Sequence, residues 1–143
     1  MRKYELNDRF STADIGLDIW GSTLEELYIA GAEGLMSVFL GKFSGQTEEG
    51  RTIELEAGSI NQLLIDWLSE FVYLFDAEGI VPLDYKVEIN ARPDGFRLKG
   101  EIGYRRFRPE SDRAEHGVKA VTYYRLNVEQ VDGIYHCHVV FDL

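Results

Sequence analysis

The sequence predicts an α+β fold: a two-layer sandwich in which a mainly antiparallel sheet is covered on one face by two helices. Three observations carry that reading. Two segments repeat apolar residues at helical spacing behind capping signals, most of the rest alternates with period two, and one strong hairpin turn lies at Asp132-Gly133. Strands with a single apolar face need a cover, and two amphipathic helices supply it.

The first helix starts at Ser22, with Glu25 as its capping-box partner. Leu24, Leu27, Tyr28, Leu35, Val38 and Phe39 mark its apolar side, and Gly41 stops it. The second starts at Ser59 with Gln62 as box partner. Ile60, Leu63, Leu64, Trp67, Leu68, Phe71 and Phe75 give it a broad apolar face, and Gly79 ends it.

Strands account for the remainder. Over residues 12–20, Ile15, Leu17 and Ile19 share one face, and Asp14, Gly16 and Asp18 share the other. Residues 52–57 form a second strand. Residues 85–91 run into the turn Pro93-Asp94-Gly95, and Phe96, Leu98 and Ile102 return from it. The polar stretch 107–117 reads as a flexible excursion from the sheet. Residues 118–130 and 134–143 flank Asp132-Gly133, a type I′ turn signal. With Val131 opposite Ile134, Tyr123 falls opposite Asp142. Val118, Ala120, Thr122, Leu126, Val128, Cys137, Val139, Phe141 and Leu143 then form a core face. Lys119, Tyr123, Arg125, His136, His138 and Asp142 form a polar one. No repeat or linker interrupts the chain, so a single domain over residues 1–143 is expected.

Composition narrows the function. At 45% hydrophobic and 13% aromatic residues, the 143-residue chain can build a core. Its net charge of -10 repels a phosphate backbone, so little direct nucleic-acid binding is expected, whereas metal ions and basic protein partners suit it. Cys137 is the single cysteine, which excludes an intrachain disulfide and fits a reducing, cytoplasmic setting. Its place on the core face predicts an inert thiol. The opening MRKYELNDRF has no apolar stretch behind its basic residues, and no apolar run approaches ~20 residues, so neither a signal peptide nor a membrane span is expected.

Three groups of residues could carry chemistry. Asp14 lies in a strand, where Asp is depleted, and Gly16 after it allows close approach of a ligand. Asp142 is followed by Leu143, whose main-chain carboxylate is a further oxygen donor. Two Asp side chains with a main-chain oxygen make a site for a hard cation such as Ca²⁺ or Mg²⁺. Spacing alone leaves open whether they meet or are ordinary solvated carboxylates. His136 and His138 point the same way from one strand. They either form a transition-metal site with Asp142 or are a surface pair beside Glu129 and Asn127. Lys119 either contacts a carboxylate or phosphate or is a solvated strand lysine. No phosphate-binding Gly loop, nucleophile–base pattern or zinc-spaced cysteine pair is present.

Four blocks in order resemble the archease family, and they span nearly the whole chain. Thr12-Ala13-Asp14-Ile15-Gly16 with Trp20-Gly21 is similar to its N-terminal HTADIG signature, and residues 23–40 to its first helix. Residues 63–70 with Phe75 resemble its LL..WL.E helix. Val118-Lys119-Ala120-Val121-Thr122-Tyr123 resembles its KAVTY strand, and Val140-Phe141-Asp142-Leu143 its closing segment. The family's Asp-His ahead of the first block is Phe10-Ser11 here, and the histidine after KAVTY is Tyr124.

The resemblance implies a protein cofactor, not an enzyme, that activates an RtcB-type GTP-dependent RNA ligase of tRNA splicing and RNA repair by promoting its guanylylation and turnover. It further implies a divalent metal, Ca²⁺ with Mg²⁺ or Mn²⁺ as alternatives, held by Asp14, Asp142 and Leu143. Lys119 is the implied partner-binding residue. Two other functions fit the residues: a metal-independent adaptor or chaperone-like module, and a small metal-dependent hydrolase built on Asp14 and Asp142. The hydrolase needs a base and an open coordination position.

Overall fold

The computed structural model describes residues 1–7 and 14–143. Phe10, Ser11, Thr12 and Ala13 lie outside the described residues. Along the chain run β1 (Arg2–Asn7), β2 (Asp14–Gly21), α1 (Leu24–Leu40), β3 (Glu49–Ala57), α2 (Ile60–Glu78), β4 (Ile80–Arg92), β5 (Gly95–Arg106), β6 (Ala120–Val121), β7 (Glu129–Val131) and β8 (Ile134–Asp142).

The α+β class and the antiparallel pairing hold, and the strands divide between two sheets. The larger is ordered β1-β2-β8-β6, with β7 also on β8, and the smaller is β3-β5-β4. One cluster of buried side chains joins both sheets to both helices, from Leu17 and Ile19 through Trp67 and Leu98 to Val139 and Phe141.

Helix α1, read from its sequence as apolar along one side, is instead buried nearly all round from Leu27 to Leu40, because Ile29, Ala30, Ala32 and Met36 off that stripe are apolar too and are covered as well. Its small residues permit this. A Cβ on Gly34 would stand 2.6 Å from a Leu17 methyl, and one on Gly31 would touch Leu68 of α2 and Ile19 of β2. Its N-cap is Thr23, not Ser22. The Thr23 Oγ1 accepts from the Glu26 N–H at 3.1 Å, while the Ser22 N–H donates to the Met1 carbonyl and so extends the β1–β2 pairing. The carboxylate of Glu25, freed from a capping role, accepts from the Ile89 N–H at 3.3 Å.

Helix α2 starts as the sequence predicts, with Ser59 Oγ accepting from the Gln62 N–H, and stops at Gly79 in the left-handed conformation. The Gln62 side chain does not complete the box. Its amide donates to Asp66 and to the Tyr123 hydroxyl. The Trp67 indole donates to the Tyr28 carbonyl at 2.9 Å and lies over Gly100 of β5, where a Cβ would come within 2.9 Å of the ring.

The turn after β7 is as predicted. Asp132 and Gly133 have φ of 52° and 79°, and Val131 stands opposite Ile134. Further along, the expected register fails. Ala120, not Tyr123, pairs with Asp142, a shift of three residues relative to the β7–β8 ladder. Thr122 still donates its N–H to the Val140 carbonyl, and residues 123–128 then leave the ladder, where the first turn of α2 holds them. Asn61 Oδ1 accepts from the Val128 N–H at 2.9 Å, and Gln62 holds Tyr123. An odd shift exchanges the two faces within β6, so Val121 is buried and Ala120 exposed; Val118, ahead of β6, is buried nonetheless, and Val139 and Phe141 of β8 are buried as expected.

The polar stretch 107–117 is anchored at Asp112. Its carboxylate clasps the Arg105 guanidinium at 2.7 and 2.8 Å, with the two side chains only 4% and 8% exposed. Arg105 also donates to the Ser44 carbonyl, and Asp112 accepts from the Arg108 N–H.

Candidate functional site

The pairing of β2 with β8 builds the site. Its register sets Asp14 directly opposite Asp142, at the end of both strands. Both lie on the face away from the helices, because Ile15 opposite Phe141, and Leu17 opposite Val139, turn inward. Like charges directly opposite on a ladder are destabilising, and a cation between the two carboxylates would relieve that. Leu143, next in the chain after Asp142, packs its side chain against the core. The Lys119 N–H donates to the Asp142 carbonyl at 2.8 Å, which brings this exposed lysine to the same strand end.

Among the described residues, the side chains set opposite each other here are the Asp14 and Asp142 carboxylates, hard oxygen donors that would suit Ca²⁺ or Mg²⁺ better than a softer metal. Among the described residues, no three His, Cys, Asp or Glu side chains are grouped to hold a metal ion. Ligation at this point would therefore combine the two aspartates with main-chain oxygen.

The two histidines belong elsewhere. His136 Nε2 and His138 Nδ1 both contact Asp18 Oδ1, at 3.0 and 3.1 Å, and Asp142 is not their partner. Trp20 lies against the His136 ring at a centroid distance of 5.1 Å, with Lys3 over the indole. Asp18 is the residue that sequence reasoning missed. Its face was legible from the alternation of β2, but its place opposite His138 depends on the β2–β8 register. Cys137 points into the core, and burial pushes its thiol up to about 12. No helix of the described residues is long and apolar enough to cross a membrane.

A small antiparallel α+β protein with an acidic strand-end site is the class that these features define. The family model of the archease protein family matches residues 4–143. A protein archease from Thermococcus kodakarensis is 37% identical over the full length of both chains, and one from Pyrococcus furiosus is 34% identical, again over both full lengths. The solution structure of Methanobacterium thermoautotrophicum protein 1598 superposes with a TM-score of 0.84, at 30% identity and 98% coverage of each chain. The crystal structure of a Thermotoga maritima archease, described as a possible chaperone, shares the fold with a TM-score of 0.61 at 20% identity and 93% coverage of each chain. The chain belongs to the archease family.

Proposed function

We propose that this chain is a metal-binding protein cofactor of an RtcB-type GTP-dependent RNA ligase, acting on the ligase's guanylylation and turnover rather than on RNA. The observation that supports it is the Asp14–Asp142 pair at one strand end, with Lys119 tethered beside it. The two aspartates and the Leu143 main-chain oxygens would hold a divalent ion such as Ca²⁺, Mg²⁺ or Mn²⁺, which neutralises the facing carboxylates and offers a positive centre at the surface. Lys119 would meet a carboxylate or phosphate of the ligase. The net charge of -10 leaves the RNA to the ligase.

Two measurements test this. Calorimetry with Ca²⁺, Mg²⁺ and Mn²⁺ should show binding by the unmodified chain and its loss in Asp14→Ala and in Asp142→Ala. Mixed with its cognate ligase, the chain should raise multiple-turnover ligation and guanylylation, and Lys119→Ala should weaken that effect without unfolding the protein. Equal ligase turnover with and without the chain removes the reading. Binding to the ligase that is indifferent to a chelator supports a metal-independent adaptor instead.

A further inference from the structure

β1 is the outer strand of the larger sheet, and among the described residues no strand pairs with its outer edge. The Ser22 N–H donates to the Met1 carbonyl, and this pair continues the register in which Arg2 stands opposite Gly21. Hydrogen-bonded pairs alternate with non-bonded ones along an antiparallel ladder. Lys3, Glu5 and Asn7 therefore spend their peptide groups on β2, and Arg2, Tyr4 and Leu6 turn theirs to the free edge. Among the described residues, none of these three has another backbone hydrogen bond.

The edge is accessible. Tyr4 and Leu6 are 39% and 46% exposed. Clefts of about 460 and 670 Å³, both walled by Tyr4, Gly41 and Lys42, run beside it. In the wall of the first, the Tyr85 hydroxyl is buried without a hydrogen-bond partner among the described residues.

We propose that β1 pairs antiparallel with β1 of a second copy of this chain, about a two-fold axis through Tyr4, so that two of the larger sheets join edge to edge. Outward peptide groups occur only at the even positions, so self-pairing must set even residues against even. Three such registers exist near full overlap, and charge chooses between them. With Tyr4 opposite Tyr4, Arg2 faces Leu6, all six outward groups are bonded, and Lys3 faces Glu5 twice. Slipping one way sets Lys3 against Lys3, and slipping the other sets Glu5 against Glu5, both of which are repulsive. β1 also carries two cations and one anion, so it is net positive on a chain of -10, where association meets the least repulsion. The incoming strand brings its own Tyr4 and Arg2 over the clefts, within reach of groups such as the Tyr85 hydroxyl.

Sedimentation of the full chain over a range of concentrations tests this. The unmodified chain should associate reversibly to a dimer. Lys3→Glu sets Glu against Glu at two places and should weaken association by roughly tenfold. The swap Lys3→Glu with Glu5→Lys should restore it, which separates a lost contact from a misfolded strand. Tyr4→Cys should oxidise to a covalent dimer, since position 4 faces its own copy at a Cα separation of about 5.5 Å. Cys137, fully buried, does not compete. A monomer at every concentration overturns the proposal, as does a dimer that ignores Lys3→Glu or that the swap fails to restore.

Discussion

Replacing Asp112 by Ala removes the carboxylate that clasps Arg105 and leaves a guanidinium that is 4% exposed without it. Deleting one partner of a buried pair costs about 3–5 kcal/mol. Arg105 keeps its bonds to the Ser44 and Arg106 carbonyls, which places the loss toward the lower end, about 3 kcal/mol. That is a large share of the roughly 5–15 kcal/mol of an ordinary domain and corresponds to a Tm lower by about 6–12 °C. Urea unfolding measures it. Arg105→Met with Asp112→Leu, which removes both charges, should return to within about 1 kcal/mol of the unmodified chain. Trypsin should reach Arg108 and Arg113 sooner in Asp112→Ala, because the segment has lost its anchor. The pH dependence has a definite sign. The Arg105 guanidinium, helped by the Arg108 N–H, holds the Asp112 carboxyl below the usual carboxylate range. The stabilisation is therefore complete above about pH 4 and is lost as pH falls through the lower folded-state value. An Asp112→Ala protein within about 1 kcal/mol of the parent would refute the reasoning.

Gly34→Ala should destabilise by about 1–2 kcal/mol, because the gain in helix propensity of about 1 kcal/mol is outweighed by overpacking on the immobile Leu17. A cycle with Leu17→Ala, followed by thermal unfolding, should show the two changes to be non-additive. The Cys137 thiol, raised to about 12 by burial, should resist alkylation at neutral pH in the native protein and react at once when denatured.

Much of this architecture was legible in local sequence. Ser59, Gly41 and Gly79 punctuate the helices where expected, and Asp132-Gly133 makes its turn, because caps and tight turns depend on residues a few positions apart. The outward placement of Asp14 and Asp142 followed from strand alternation. What escaped depends on distant partners. Ser22 lost the cap because Met1 claims its N–H, and Tyr123 left the Asp142 register because Asn61 and Gln62 hold the intervening loop. Stretch 107–117 looked free because its anchor, Arg105, belongs to a strand and gives no local sign of pairing with Asp112.

The position of β8 has a kinetic consequence. Sheet β3-β5-β4 and α2 come from one continuous stretch of chain and can assemble from neighbours in sequence. β8 must instead cross that whole unit to find β2, and closing so long a loop comes late and slowly. Asp14 and Asp142 meet only in that last pairing. Any partially folded chain, even one with native helices, therefore lacks the facing aspartates, and ion binding at this point would report completed folding rather than collapse.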